Sequence, residues 1–201
     1  MGDTFDAIGS TLKKVTAALR ETRVPFLLGG SLASWARGGP ESRHDLDLIL
    51  KPGDAERALE VLDKEGLRTE RPPEGWLFKA WDGEVLVDLI FAPKGLEVTD
   101  DVLKRGEELE VLAIRIPVMA LQDMLVTKLL ALDEHSLDYS GALQIARSLR
   151  EQIDWDALRR RTEHSPYALP FFTLVRELGI AEPHGVARDR HSQVRVVGGQ
   201  K

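Results

Sequence analysis

One stretch, residues 26–50, constrains the fold of this chain more than any other. It holds two apolar segments that are separated by a double glycine, a serine, a short helical piece and a Gly-Gly-Pro turn. We predict a strand over Val24–Leu28, a short helix over Leu32–Arg37 with Ser31 as its N-cap, and a second strand over His44–Leu50. The rest of the chain then has to support this strand–turn–helix–strand unit.

The glycine turn of this unit suits phosphate. Gly29 and Gly30 carry no Cβ, so the backbone is able to approach phosphate oxygens closely, and Ser31 adds a hydroxyl. The helix that follows directs free N–H groups to the same place. The alternative is an ordinary strand-to-helix turn with a serine cap.

The second strand carries Asp45 and Asp47. Side chains alternate across a strand, so both carboxylates are expected on one face, with Leu46 on the other. Two like charges so close repel each other, and a divalent cation between them removes that repulsion. The alternative is an exposed edge strand with solvated aspartates.

A third carboxylate, Asp88, lies inside the nearly continuous apolar run Val85–Phe91. Such a strand is expected to be covered on both faces, and a carboxylate there needs a partner or a metal. If this strand pairs with the one that carries Asp45 and Asp47, three carboxylates converge in a geometry that suits one or two metal ions. The alternative is a lone buried aspartate bonded to backbone amides.

The periodicity of the rest predicts an α+β fold, with a small mixed or antiparallel sheet and helices, followed by a C-terminal helical bundle. We expect an α/β domain over 1–117, a helical domain over 118–180 and a flexible tail over 181–201. The predicted elements are a helix over Phe5–Glu21, a helix capped by Asp54 and running to Glu65, a short strand within Gly66–Pro73, a hairpin of Trp76–Trp81 and Glu84–Phe91 joined at Asp82-Gly83, a strand pair around Glu108–Ile116, and helices over Met119–Leu132, Asp138–Glu151, Trp155–Thr162 and Tyr167–Leu178.

Composition narrows the class of protein. The 201 residues contain no cysteine, which excludes disulfides and thiolate metal sites. The formal net charge of −6 disfavours non-specific nucleic-acid binding, although a local basic patch remains compatible with it. No apolar run approaches the length of a membrane span, so we expect no membrane partner and a cytoplasmic protein.

Taken together, these motifs resemble a known superfamily. Gly29-Gly30-Ser31, Gly39-Pro40, Asp45-Leu46-Asp47 and Asp88 are similar to the pattern of nucleotidyltransferases of the DNA polymerase β type, and in particular of small AbiEii-like bacterial nucleotidyltransferases. Those include toxin components of toxin–antitoxin systems. In the helical half, Lys128-Leu129-Leu130 followed by Asp138-Tyr139 is similar to the lysine-then-aspartate pattern of the AbiEii-like group.

The resemblance implies an enzyme that uses Mg²⁺ or Mn²⁺ to move a nucleoside monophosphate from an NTP to a hydroxyl acceptor. Ser31 would hold triphosphate, Asp45 and Asp47 would bind metal, and Asp88 would bind a second metal or accept the proton of the acceptor hydroxyl. Lys128 would approach the phosphates. The acceptor remains open between transfer RNA, a small molecule and a protein side chain, and an antitoxin-like protein is a further partner to expect.

One departure from the pattern concerns triphosphate binding. Relatives often carry a hydroxyl residue two positions before the first aspartate, where this chain has Arg43. Arg43 is able to contact phosphate itself, and we include it among the nucleotide-binding residues. The alternative function is a non-catalytic nucleotide-binding or partner-binding module of the same fold.

Several other residues have a simpler interpretation beside a functional one. Lys128 is either a phosphate ligand or a lysine that extends its ammonium to solvent. Trp76 and Phe78 either line a cleft or serve as packing anchors. Asp133-Glu134-His135 is a poor metal motif, because adjacent residues on a helix point apart. A basic face in the helical half, suited to a polyanionic acceptor, competes with a solvated surface balanced by acidic neighbours; it comprises Arg147, Arg150, Arg159, Arg160 and Arg161.

Overall fold

The chain forms a mixed sheet of seven strands with helices packed against it, in a computed structural model that describes residues 3–40 and 45–181. Arg43 and the tail after residue 181 lie outside the described residues. The strand order is β3-β4-β5-β2-β1-β7-β6. This confirms the predicted α+β class, with the sheet formed mostly by the first half of the chain and helices dominating the second.

The strands are β1 (Leu27–Leu28), β2 (Leu46–Ile49), β3 (Arg68–Glu70), β4 (Leu77–Asp82), β5 (Val85–Ile90), β6 (Glu107–Val111) and β7 (Ile114–Val118). The helices are α1 (Asp3–Glu21), α2 (Gly30–Ala36), α3 (Pro52–Lys64), α4 (Asp100–Lys104), α5 (Leu121–Leu130), α6 (Ser140–Leu149), α7 (Trp155–Thr162) and α8 (Leu169–Glu177), with a 3₁₀ turn at Arg150–Gln152.

Two hydrophobic cores organise these elements. The first lies between the sheet and helices α1 and α3, where Leu12 of α1 and Leu59 of α3 meet Leu48 of β2 and Leu89 of β5. The second joins α5, α6, α7 and α8 around the fully buried ring of Phe171. The predicted domain division at residue 117 remains a prediction. Pro117 itself is paired with Glu108 inside the sheet, so the helices begin a few residues later.

The register of β2, β5 and β4 matters most for the site. β2 and β5 run parallel with Asp47 opposite Asp88, and β4 and β5 form an antiparallel hairpin with Lys79 opposite Asp88. The hairpin confirms the prediction, but its two turn residues are Gly83 and Glu84 rather than Asp82 and Gly83. A glycine with φ 62° at the first turn position fits the right-handed twist of the strands.

Some local predictions were wrong in detail. Helix α2 begins at Gly30 with Gly29 as its N-cap, so Ser31 lies in the first turn and does not cap the helix. Helix α3 begins at Pro52 after Lys51, which places Asp54 in its first turn. In both cases the helix begins earlier than predicted, because an extended residue before the expected cap, Gly29 or Lys51, is the N-cap.

A similar correction applies beyond α5, which ends at Leu130. Asp133 and Ser136 pair across a tight turn that includes His135, so the assumption that residues 133–135 are helical was wrong. The Asp133 carboxylate accepts a hydrogen bond from the His135 N–H at 3.0 Å. It also pairs with Lys94 at 3.3 Å, so this carboxylate is engaged locally.

A buried carboxylate ties the two halves together. Asp123 on α5 is 0% exposed and receives Nη2 of Arg105, which follows α4, at 2.9 Å and Nη2 of Arg161 on α7 at 2.6 Å. Arg37, at the end of α2, donates to the backbone oxygens of Val118 and Met119, at the start of the helical half. These polar contacts fix α5 against the end of the sheet.

Candidate active site

The glycine turn after β1 packs directly against Asp47. The Gly29 N–H donates to the Asp47 carbonyl oxygen at 2.7 Å, and Gly30 adopts a φ of 60° that disfavours any residue with a Cβ. A Cβ built on Gly30 would overlap the Asp47 carboxylate, lying 2.5 Å from its Cγ. The missing side chain is therefore what makes room for that carboxylate.

Asp47 and Asp88 form the electrostatic centre of the site. They are register partners on neighbouring parallel strands, and both lie on the face opposite the core residues Leu48 and Leu89. Burial, reinforced by the charge of Asp88, raises the pKa of Asp47 to about 6, while the Lys128 ammonium opposes the shift. The local field thus disfavours a second negative charge and favours a cation.

Asp88 carries an unpaired buried oxygen. Its Oδ1 is buried without a hydrogen-bond partner in the described part of the chain. Burial raises the pKa of Asp88, and the ammonium of Lys79 on β4 opposes that rise. A buried carboxylate oxygen with no donor is costly unless a ligand or cation satisfies it, so this atom is available for one.

Asp45 takes a different position from the other two carboxylates. It lies one residue before β2 and is exposed, although its charge contributes to the raised pKa of both Asp47 and Asp88. Among residues 3–40 and 45–181, no three acidic or histidine side chains form a ready-made metal cluster. Magnesium is often held by one or two carboxylates with substrate phosphates and water in the other positions, and this arrangement fits that pattern.

A cleft of about 740 Å³ opens beside the carboxylates, a size typical of sites for small ligands. Gly30, Ser31, Asp47 and Lys128 form its polar part, so α5 from the helical half supplies a cation to a site built on the sheet. Asp45 and Asp88 do not line it. The remaining wall is mainly apolar and consists of Ile49, Trp76, Ile90, Ala92, Pro93, Lys94, Met119, Met124, Thr127 and Ala131.

The two aromatic residues considered for the cleft, Trp76 and Phe78, take different positions. Trp76 lines it and is 41% exposed, as an aromatic wall requires. Phe78 instead serves as a packing anchor, because its side chain packs against the sheet core and against Phe91, with ring centroids 4.8 Å apart. Phe78 lies on the helix-covered face of β4, whereas Trp76 precedes the first residue of that strand, Leu77, and its side chain does not follow the alternation of the strand.

The predicted basic face of the helical half is mostly engaged within the protein. Arg161 pairs with Asp123, Arg150 pairs with Glu151 at 3.1 Å, and Arg159 lies over the Phe172 ring at 5.8 Å. These arginines therefore do not form a continuous set of unpaired charges, which weakens the case for a polyanion site there.

The residue most clearly missed from the sequence is Lys79. The position of the hairpin turn determines its partner. With Gly83 and Glu84 in the turn, Asp82 lies opposite Val85, and three residues further from the turn Lys79 lies opposite Asp88. The expected turn, one residue earlier, pairs Asp88 with a different side chain. The cleft residues Met119, Met124 and Thr127 carry no comparable signal, because only the docking of α5 brings them to the site.

Comparison with known proteins agrees with this geometry. The profile of a family described as "Uncharacterised nucleotidyltransferase" matches residues 7–177, most of the chain. The chain belongs to this nucleotidyltransferase family. It is therefore a transferase enzyme, which argues against the non-catalytic module, and its acceptor is not identified by the match. No curated protein sequence gives a significant match.

Solved structures support the same fold. A crystal structure of ANT(2″)-Ia in complex with adenylyl-2″-tobramycin has a TM-score of 0.60 at 13% identity, covering 81% of this chain and 98% of that one. A solution structure of the antibiotic-resistance factor ANT(2″)-Ia gives 0.54 at 14% identity, with 85% and 94% covered. The lincosamide antibiotic adenylyltransferase LnuA gives 0.48 at 14% identity, with 71% and 96% covered, and a score this low adds no support for the fold. At these identities the likeness concerns the fold alone.

Proposed function

We propose that this enzyme transfers a nucleoside monophosphate from an NTP to a hydroxyl acceptor, with Asp47 and Asp88 at the reaction centre. One observation carries the proposal: two carboxylates in register on adjacent strands, beside a glycine turn with no Cβ and at the mouth of a cleft that also holds a lysine. Carboxylates that repel each other and have raised pKa values beside a cleft are typical of functional sites.

The triphosphate would lie in the polar part of the cleft. Gly29 and Gly30 offer a backbone that phosphate oxygens can approach, Ser31 offers its hydroxyl, and Lys128 offers a positive charge. Arg43 belongs to this set as a further nucleotide-binding residue, on the basis of its place in the sequence. These groups would orient the leaving pyrophosphate, which is the main contribution a protein makes to phosphoryl transfer.

The carboxylates fit a divalent cation, Mg²⁺ or Mn²⁺. Asp47 has a raised pKa and Asp88 has an unpaired buried oxygen, both of which a cation relieves, and Asp45 is close enough to add its charge. When bound, the cation neutralises charge on the phosphates and helps to orient them. Asp45, Asp47 and Asp88 are the residues that would hold it.

Transfer then requires one bond to form and one to break. The acceptor oxygen bonds to the α-phosphorus, the bond from that phosphorus to the bridging oxygen breaks, and pyrophosphate leaves. The proton of the acceptor hydroxyl passes to Asp88 or to water. Burial raises the pKa of Asp88, which favours its role as the proton acceptor.

The identity of the acceptor is a separate part of the proposal. Transfer RNA, a small molecule and a protein side chain are all hydroxyl acceptors compatible with the chemistry, and the tobramycin adduct in ANT(2″)-Ia is a small-molecule example on a similar fold. A cytoplasmic location and an antitoxin-like protein partner are further proposals. No helix among the described residues is long and apolar enough to cross a membrane.

The test is a labelling reaction with α-labelled NTPs, Mg²⁺ and, in separate tubes, total RNA, a panel of hydroxyl-bearing antibiotics and total protein. We expect one acceptor fraction to become labelled and Asp47→Asn to abolish the labelling. Asp101→Asn is the matched control, because Asp101 is an exposed aspartate that pairs with Lys104 on its own helix.

Calorimetry with the four NTPs accompanies the labelling reaction. Wild-type protein is expected to bind at least one NTP in the presence of Mg²⁺, and Asp47→Asn is expected to bind it more weakly. Equal labelling by wild type and Asp47→Asn would refute the assignment of the site. Tight NTP binding without labelling of any fraction would instead favour the non-catalytic module.

A further inference from the structure

The carboxylate centre has a second, open side. On the face of the sheet that carries Asp88, the register places Lys79 beside it on β4, and Trp81 beside Leu86 one step further along the strands. Arg68 lies opposite Trp81 on the edge strand β3. We call Arg68, Lys79, Trp81 and Leu86 the open face.

The side chains of the open face are not part of either core. Trp81 and Leu86 retain exposed surface and belong to neither hydrophobic cluster. The opposite face of the same strands is covered instead: Thr69 donates to Asp63 of α3 at 3.0 Å, and Asp82 pairs with Lys14 of α1 at 2.9 Å. Helices α1 and α3 therefore pack on one side and leave the open face available.

Arg68 and Trp81 form a stacked pair. The guanidinium carbon of Arg68 lies 3.9 Å from the centroid of the Trp81 ring. Lys79 is two residues from Trp81 on the same side of β4 and lies between this pair and Asp88. The result is a row of cation, aromatic ring and cation that ends at the carboxylate centre.

The geometry of in-line displacement indicates whether the NTP or the acceptor lies on the open face. The attacking and leaving oxygens must lie on opposite sides of the transferred phosphorus. The leaving phosphates are proposed to occupy the cleft with Ser31 and Lys128, and Asp47 lines that cleft while Asp88 does not. The acceptor hydroxyl then approaches from the Asp88 side, which is the open face.

We propose that the open face binds the acceptor, and that the acceptor is a single-stranded nucleic acid. This inference rests on the proposed nucleotidyl transfer. Single-stranded nucleic acids are bound by cations along their backbone combined with aromatic rings on which bases stack, and arginine adds cation–π contacts. Arg68, Lys79 and Trp81 supply these groups.

The shape and charge of the face support the same occupant. It is formed by side chains of neighbouring strands, of which Arg68 is exposed and Lys79, Trp81 and Leu86 are partly exposed, and such a surface suits an extended strand better than a small molecule that needs a pocket. Glu70 lies opposite Lys79 and is an acidic neighbour of these cations, so the face is not uniformly positive. A polycationic acceptor would meet Arg68 and Lys79 before it reached Asp88 and would be repelled.

The test measures binding of a fluorescein-labelled single-stranded RNA of about 12 nucleotides by anisotropy, in Mg²⁺ and with a non-hydrolysable NTP analogue present. We expect Trp81→Ala to bind the RNA at least about fivefold more weakly, from the loss of base stacking, and Trp81→Phe to recover most of the affinity. Lys79→Met is expected to reduce the slope of log affinity against log salt by about 0.7, the loss of one phosphate contact.

Lys64→Met is the matched control for charge, because Lys64 is an exposed lysine at the end of α3, on the covered side of the sheet. Its affinity and salt slope should equal those of wild type. Thermal unfolding shows whether Trp81→Ala is folded. If it is not, Arg68→Ser tests the same stacked pair of Arg68 and Trp81. NTP affinity, measured by calorimetry, should be unchanged in Trp81→Phe and Arg68→Ser.

Two results would overturn the inference. One is wild-type protein that binds the NTP analogue but not the RNA. The other is RNA binding that Trp81→Ala, Arg68→Ser and Lys79→Met leave equal to that of Lys64→Met, which would locate the strand elsewhere. A wild-type protein that binds no NTP at all would count against the proposed nucleotidyl transfer itself, and this readout is separate from the RNA measurement.

Discussion

Replacing Gly30 by alanine should separate stability from activity in this enzyme. The residue has a φ of 60°, and a Cβ there would overlap the Asp47 carboxylate and lie 2.5 Å from its Cγ. Gly83 has nearly the same φ of 62°, but a Cβ at that position meets nothing within 4 Å. Gly83→Ala therefore introduces the same backbone strain without the collision and serves as a matched control.

The two effects differ in size and in what they change. Left-handed backbone in alanine costs about 1 kcal/mol of unfolding free energy after the entropy lost by the unfolded chain is included, and both variants should show it. The atoms displaced by the Gly30→Ala side chain belong to the end of a flexible side chain, so the collision itself adds little instability. It does move the Asp47 carboxylate by on the order of 1 Å, which is enough to lower kcat/KM about 100-fold.

Urea denaturation and labelling kinetics on the same preparations provide the test. We expect similar unfolding free energies for Gly30→Ala and Gly83→Ala, with kcat/KM reduced only in Gly30→Ala. Equal activity in the two variants would show that the position of Asp47 beside the glycine turn is not required. A much larger loss of stability in Gly30→Ala would show that the backbone, rather than the carboxylate, absorbs the collision.

Two further predictions concern buried carboxylates. Because burial raises the folded-state pKa of Asp47 to about 6, above the roughly 3.9 of an ordinary aspartate, Asp47 binds its proton more tightly in the native state, so raising the pH from about 4 to about 7 should cost the metal-free protein about 2 kcal/mol. Asp47→Asn should be more stable than wild type at pH 7 and equal near pH 4 in urea denaturation; a difference that does not vary with pH would contradict this. Arg161→Met should lose about 2–3 kcal/mol of unfolding free energy, since it removes an arginine partner from the buried Asp123. Exposed Arg160→Met should stay within about 0.5 kcal/mol of wild type in the same assay, and equal losses would contradict a structural role for the ion pair.

Local patterns predicted the parts of the site that depend on neighbouring residues. The apolar run around Asp88 indicated a confined carboxylate, and the glycine doublet indicated a close backbone approach. The expectation that this strand is covered on both faces was wrong, because Val87 and Leu89 are buried whereas Leu86 and Ile90 on the other face remain partly exposed. The exact ends of elements were less predictable. A shift of one residue in the hairpin turn changes every cross-strand partner, which is why the Lys79–Asp88 pair was missed although the hairpin was found.

The sequence by itself determined the order of the helices and strands and which residues carry chemically useful groups. It does so because strand alternation, helix periodicity and glycine turns each depend on a few neighbouring residues. Tertiary structure alone decided which of them meet. The parallel register of β2 and β5 sets Asp47 opposite Asp88, and the docking of α5, held by Asp123 between two arginines, brings Lys128 to the cleft. Such contacts join residues about 20 to 80 positions apart, and their geometry depends on how whole elements pack rather than on any local pattern.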